Sequence, residues 1–250
     1  MKKLIYLLSL LTIVLVSCEK DDTKTNSDSI LTLANIDGQV SLYDEFGNTT
    51  SSERMFVKAE GNGQYYIGET QKDGSFLVPN VPYFNNYTIS FEKEGFGSYK
   101  IYRFDHQYTG AAGEIDEVPR LSKKSSAYCT ALFTNVVDDE VEFQLAVAGG
   151  SNNGKRVFRL LFHTIALISN ETFSHNSPKY TLNASSQSIT LTKAMLEEMG
   201  LESGVSYYVQ AYGDSYYSNS YFDDYAQRKV LPNLGFLEGQ TVPTGSFTMP

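Results

Sequence analysis

A chain of 250 residues, 41% hydrophobic and 20% charged, is long enough for one large or two ordinary domains and too apolar for wholesale disorder. Its formal charge of −9 argues against a nucleic-acid partner, because phosphate backbones call for clustered Lys and Arg. Two Cys and three His leave little material for metal clusters or nucleophile–base pairs, and 18 Tyr and 15 Phe stand beside no Trp.

Met1-Lys2-Lys3 is a short basic head, and the apolar run Leu4 to Val16 is interrupted only by Ser9 and Thr12. The run is shorter than the roughly 18–20 residues that span a bilayer, so residues 1–17 are expected to be a secretory signal peptide. It ends in Leu15-Val16-Ser17-Cys18, which resembles the bacterial lipobox. The resemblance implies that Cys18 becomes the first mature residue and carries acyl chains (palmitate-type), giving a membrane partner through a lipid anchor. Loss of Lys2 and Lys3 with the signal takes the formal charge from −9 to −11. Glu19-Lys20-Asp21-Asp22 resembles the acidic export signal of surface lipoproteins in the Bacteroidetes group, which implies an outer-membrane, surface-exposed location. Thr23 to Ser29 has no periodicity and no large apolar side chain, so 18–32 is expected to be lipidated Cys and flexible tether. With Cys18 consumed by lipid, Cys129 has no disulfide partner. It sits in the alternating segment Ala127–Phe133, as a buried small hydrophobe would.

From Leu33 the chain reads as short β-branched and aromatic segments punctuated by Gly, Asn and Asp. Gly38–Tyr43, Met55–Ala59, Gln64–Thr70, Ser75–Val78, Tyr87–Phe91 and Ser98–Phe104 are expected strands, with no helices between them. Residues 105–126 change character, with an acidic cluster, Pro119 and Lys123-Lys124-Ser125-Ser126, and are expected to be a linker. A second β-rich block covers 127–250, with expected strands at Glu140–Val147, Lys155–Phe162, Ser188–Leu191 and Val205–Tyr212. One helix is expected, with Thr192 as N-cap, Lys193 to Met199 as body and Gly200 as stop. The fold class is therefore all-β: two antiparallel β-sandwich domains in tandem, 33–104 and 127–250, after a signal peptide and tether.

Gly38-Gln-Val40, the turn Asp44-Glu-Phe-Gly47, Asp73-Gly74-Ser-Phe76, Tyr87–Phe91 and Gly95-Phe96 resemble the carboxypeptidase regulatory-like family, a transthyretin-like sandwich. Leu201-Glu-Ser-Gly-Val-Ser-Tyr207, continued by Tyr208–Tyr212 and closed by Gly245–Met249, resembles a fibronectin type III or related immunoglobulin-like module. That resemblance implies that Tyr207 bonds back to upstream backbone at a corner. Modules of both families mostly bind, space or adhere.

Gly149-Gly-Ser-Asn-Asn-Gly-Lys155-Arg156 imitates a phosphate-binding loop, but Arg156 stands where Ser or Thr would hold Mg²⁺ and both flanks are strands, so a hairpin turn is expected. His106, His163 and His175 are scattered, and Asp138-Asp139 and Asp223-Asp224 are adjacent carboxylates of the kind usually solvated in loops. The sequence thus calls for no catalytic residue, no metal and no cofactor. Seven Tyr fall between 207 and 225. Tyr207 suits a core strand. The segment 213–225 mixes Tyr with Ser, Asn and Asp, the composition of adaptable binding loops. Tyr212, Tyr216, Tyr217, Tyr221 and Tyr225, with Asp223 and Asp224, are the candidate ligand-binding residues, for stacking sugar rings and bonding their hydroxyls. The expectation is a surface-anchored, non-catalytic lipoprotein capturing a glycan or another nutrient. An adhesin or fimbria-like subunit assembling by strand exchange with another protein is the first alternative, and a hydrolase the second.

Overall fold

The structure, a computed structural model, describes residues 33–108, 112–117, 119–239 and 241–250. The signal segment, Cys18 and the tether therefore lie outside the described residues. All described residues belong to one compact unit, Thr32–Pro250, that contains two lobes with separate cores.

The first lobe is built from β1 (Leu33–Gln39), β2 (Ser41–Tyr43), β3 (Phe56–Gly61), β4 (Gln64–Glu69), β5 (Ser75–Pro82), β6 (Phe84–Glu92), β7 (Tyr99–His106), β8 (Gly113–Ile115) and β9 (Arg120–Ser122). One sheet has the order β4-β3-β6-β7, a second β5-β1-β8, and β2 pairs with β9. Alternation dictates the faces: Val57 and Ala59 of β3, and Ile89 and Phe91 of β6, point inward. There they meet Ile36, Phe76 and Val78 from the other sheet. Phe76 and Phe91 touch edge to face across the core, with ring centroids 5.8 Å apart. The all-β class holds, with two parallel pairings, β1–β8 and β2–β9, among otherwise antiparallel ones.

Segment 105–126, expected as a linker, is instead largely part of this lobe. Ile115 of β8 and Leu121 of β9 are buried in its core, and their strands hydrogen-bond to β1 and β2. Three-residue strands carry too little alternation to register in a sequence, and the apolar residues here are separated by Asp116, Glu117 and Pro119.

The second lobe comprises β10 (Tyr128–Val137), β11 (Glu140–Ala148), β12 (Arg156–His163), β13 (His175–Asn176), β14 (Tyr180–Leu182), β15 (Ser186–Thr192), α1 (Lys193–Glu198), β16 (Ser206–Asp214), β17 (Tyr221–Asp223), β18 (Arg228–Val230) and β19 (Thr244–Thr248). Its main sheet runs β13-β12-β16-β10-β11-β15, with β14 on β12 and β19 on β16. Only Tyr128 and Tyr212 pair between β10 and β16, so the ladder folds over at that point and its two halves face each other. Val141, Phe143, Leu145 and Val147 of β11 are buried at strict period two. Phe143 packs edgewise on Phe162 and Phe247, at 6.0 and 5.5 Å. Each such ring contributes about 1.5–3 kcal/mol through burial alone.

Local signals behave as their chemistry requires. Thr192 caps α1 by accepting from the Met195 amide at 3.3 Å, and Gly200 follows the helix with φ near +90°. Tyr207 makes the expected corner bond, its hydroxyl accepting from the Glu202 amide at 3.1 Å. Cys129 is buried, and burial pushes its thiol up to about 11. The Gly149–Arg156 segment contains a tight turn, with Asn153 and Gly154 both at positive φ and reciprocal bonds between Asn152 and Lys155. The strands it joins do not pair with each other, however: β11 lies between β10 and β15, whereas β12 lies beside β16. The turn therefore crosses between the two halves of the sandwich. Asp138-Asp139 forms the β10–β11 turn, with Asp138 in the left-handed region.

Candidate functional site

After β16 the chain leaves the second lobe, runs along the first, forms the small β17–β18 hairpin and returns through Leu231 to Asn233. Two asparagines hold this excursion down. Asn219, 1% exposed, accepts from the Ser122 amide at 2.9 Å and donates to the Gly97 carbonyl at 2.8 Å. Asn233, equally buried, donates to the Ser122 carbonyl at 3.0 Å and accepts from the Asn219 amide at 3.2 Å. Ser125 donates its amide to the Asn233 carbonyl at 2.9 Å. These buried bonds make a rigid junction, since any movement would strand their donors and acceptors away from water, although the Ser122 hydroxyl is itself buried without a partner.

At the exit of β16, Asp214 is locked from behind. Its Oδ2 accepts from Nε and Nη2 of Arg159, both at 2.9 Å, and both side chains are almost wholly buried. Arg159 also donates to the Ser177 carbonyl at 2.7 Å, while the Lys179 ammonium bonds the carbonyls of Ser215 and Tyr216. These contacts fix the direction in which Tyr216 and Tyr217 leave the strand.

The predicted site residues do not act as a free loop. Tyr212 is a correction: it is 3% exposed, packs with Leu161, Ile168, Leu231 and Leu234, and bonds Gln210 Oε1 at 2.6 Å. Burial pushes its hydroxyl up to about 12. Tyr207, Val209 and Ala211 face the main core, so alternation turns Tyr212 to the opposite face of β16, where a second apolar cluster with Leu231 and Leu234 buries it. Tyr216 is 56% exposed and leans over Gly47, where a Cβ would come within 2.6 Å of the ring. Gly47, at φ +91°, is required there on both counts. Tyr217 stacks at a tilt on Tyr43, 4.3 Å between centroids, with the Arg120 guanidinium 5.8 Å over its ring. Tyr221 is half-buried against Tyr99 and Tyr102, and Tyr225, 81% exposed, touches only Tyr102 among the ring contacts.

The two carboxylates are committed to structure. Asp223 Oδ1 accepts from the amides of Ala226 and Tyr225, both at 2.9 Å, and these donors hold its carboxyl below the usual range. Asp224 pairs with Arg103 Nε at 2.8 Å. Asp223 Oδ1 and Asp224 Oδ2 therefore shape the hairpin and its seat on β7.

What the excursion creates is concavity. Tyr217, Ser218, Asn219 and Ser220 form one wall of a groove of about 1010 Å³ between this excursion and the first lobe. Its other aromatic surfaces are Tyr43, Tyr99 and Phe104, all from the first lobe. The rim carries Arg120 with Glu114, Asp116 and Glu117, all exposed. The next residue, Tyr221, lines a second cleft of about 740 Å³, which also holds Phe56, Phe96, Lys100, Lys124 and Arg228. Tyr43, Tyr99 and Arg120 were missed from sequence because they lie in other strands, about 100 residues or more from the Tyr-rich segment. The acidic run 114–117 is visible in the sequence, but its short apolar neighbours give it the character of a linker. Among the described residues no group of three or more His, Cys, Asp or Glu side chains is arranged to hold a metal ion.

No protein-family model and no curated protein matches this chain. Among solved structures it is similar to a candidate carbohydrate binding protein from Bacteroides uniformis, at 13% identity and TM-score 0.31 over 86% of this chain and 98% of the other. It is also similar to a DUF3823 family protein from Bacteroides ovatus, at 11% identity and TM-score 0.27 over 74% and 92%. A third likeness is to the chicken CNTN1 FN1–FN3 domains, at 9% identity and TM-score 0.24 over 66% and 51%.

Proposed function

We propose that this is a lipid-anchored, outer-membrane protein exposed at the cell surface that binds glycan without catalysis, using the groove between segment 217–220 and the first lobe. The observation that carries the reading is the pairing of ring faces with acceptors in one concave surface: Tyr43, Tyr99 and Tyr217 beside Glu114, Asp116 and Glu117. Sugar rings present apolar C–H faces that pack on aromatic rings, while their hydroxyls donate to carboxylates in charge-assisted bonds. Arg120, held over Tyr217, supplies donors for ring and hydroxyl oxygens. A groove of this volume sits at the upper end of the roughly 300–1,000 Å³ typical of ligand sites, which suits a short oligosaccharide. The lipobox ending in Cys18 and the acidic run after it supply the address.

The test is a glycan array followed by calorimetry with the wild type and with Tyr217→Ala. Loss of that ring is expected to weaken binding by about tenfold or more, from its stacking contribution of roughly 1–2 kcal/mol. Equal binding by the variant, or no bound glycan at all, sinks the proposal.

A further inference from the structure

The turn at Gly149–Arg156 is not part of the groove, yet it closes a separate cavity of about 280 Å³ at the same junction. Lys155, Arg156 and Asn152 come from the turn and the start of β12, Phe46 from the turn after β2, and Tyr216 from the exit of β16. Two carboxylates also border it, and both are spoken for. Glu45 receives the Ser126 amide at 2.6 Å on one oxygen and the Ser126 hydroxyl at 2.5 Å on the other. Asp214 is held by Arg159.

The cations are the groups with capacity to spare. Among the described residues neither Lys155 nor Arg156 forms an ion pair, since the three pairs present are Lys58–Glu60, Arg103–Asp224 and Arg159–Asp214. Arg156 reaches only two turn carbonyls, those of Gly149 at 3.2 Å and Gly154 at 3.4 Å, and its Nε is buried with no partner. Lys179 lies close behind, its ammonium on the carbonyls of Ser215 and Tyr216. The lining thus holds two cations, Lys155 and Arg156, against the carboxylates of Glu45 and Asp214, and the Asp214 charge is already matched by Arg159. Two unpaired cations at a concave surface raise the local concentration of anions and offer them strong, charge-assisted donors.

We propose that this cavity binds a single carboxylate-bearing sugar, a hexuronate, with the carboxylate at Lys155 and Arg156 and the ring against Tyr216. At about 280 Å³ it falls just below the roughly 300–1,000 Å³ of ordinary ligand sites, so it admits one ring and not a chain. Phe46 and Tyr216 provide the apolar walls that a pyranose face needs, and Asn152 a donor and acceptor for hydroxyls. Tyr216 stands edge-on to Tyr217, 5.0 Å between centroids and at 88°, so the cavity and the groove share an aromatic partition. The inference rests on the glycan-binding reading and adds to it a preference for acidic sugars.

Glucuronate and galacturonate, with glucose and galactose as neutral counterparts, are titrated into the protein while amide NMR shifts are followed. The proteins compared are wild type, Lys155→Gln and the double variant Lys155→Gln/Arg156→Gln. The uronates are expected to bind at least about tenfold tighter than the neutral sugars, with shifts centred on 152–156 and 216. Their affinity should fall as salt is raised from roughly 50 to 300 mM, as an exposed charge contact does. Lys155→Gln should cost about tenfold, and because Lys155 is exposed and makes no side-chain bond, the fold is untouched. The double variant should bind uronate no better than glucose. Uronate binding equal to that of glucose, binding unaltered by Lys155→Gln, or no uronate binding at about 10 mM overturns the inference. An oligosaccharide that still binds in the groove and still depends on Tyr217 in that event leaves the proposed function standing.

Discussion

Asn219→Ala tests whether the junction is a rigid cement or an incidental contact. The substitution removes a side chain that is 1% exposed and leaves two backbone groups, the Ser122 N–H and the Gly97 C=O, without the partners that held them at 2.9 and 2.8 Å. A buried donor or acceptor left unmade costs about 1–3 kcal/mol, so the pair amounts to roughly 2–4 kcal/mol once some relaxation is allowed. Total stabilities run to about 5–15 kcal/mol, so this is a large share. For a body of this size the midpoint should fall by roughly 5–12 °C. Urea denaturation followed by tyrosine fluorescence gives the free energy, and hydrogen exchange at the Ser122 amide gives the local effect. Asn219→Asp should be worse than Ala, because it buries a charge and still cannot donate to Gly97. A loss below about 0.5 kcal/mol, with the Ser122 amide still protected, would refute the reasoning: water would then be replacing the amide and the junction would be wet.

Three further outcomes follow from the same structure. Asp214→Ala should destabilise the protein by about 3–5 kcal/mol, because it strands the buried Arg159 charge, whereas Arg159→Met/Asp214→Leu should recover most of the loss in the same denaturation assay. His106 is buried, with Nε2 on the Val81 carbonyl at 3.2 Å, and burial lowers its pKa from the ordinary 6.5. The unfolded chain therefore takes up the proton first. Stability should be full above about pH 6.5 and fall as the pH drops through that value, and His106→Gln should flatten this part of the profile. Cys129, held up to about 11 by burial, should resist a thiol reagent at about pH 8 in the native state and react at once in denaturant.

Much of the fold was legible because it is written in local terms. Val141, Phe143, Leu145 and Val147 alternate, Thr192 and Gly200 bracket a helix, and Tyr207 has its corner partner five residues upstream. The parts that were not legible are non-local. Ile115 and Leu121 sit in strands too short to show a period, and what makes them strands is a parallel pairing with β1 and β2 some 80 residues earlier. Composition singles out the Tyr-rich segment, but it says nothing about what a ring touches. Tyr221 packs on Tyr99 and Tyr102, and Tyr217 on Tyr43. The partners that Asp223 Oδ1 and Asp224 Oδ2 find, two amides in the turn and Arg103 on β7, have no signature in the sequence.

The same contacts that take Tyr221, Asp223 and Asp224 out of a free recognition loop are what make a concave site. A loop of Tyr, Ser and Asn standing alone would lose conformational entropy on binding, at about 0.5–1.5 kcal/mol for each side chain immobilised. Here that ordering is already done on folding: Asn219 and Asn233 fix the excursion, Arg159 and Lys179 fix its departure from β16, and Tyr43 fixes the Tyr217 ring. The groove and the cavity both lie along this cemented seam: the groove between the excursion and the first lobe, the cavity drawing residues from both lobes. Polar burial at the junction, which in a simple stability account is close to neutral, therefore acts as pre-organisation, and under the proposed function its contribution would be read in the affinity of the surface it holds in place.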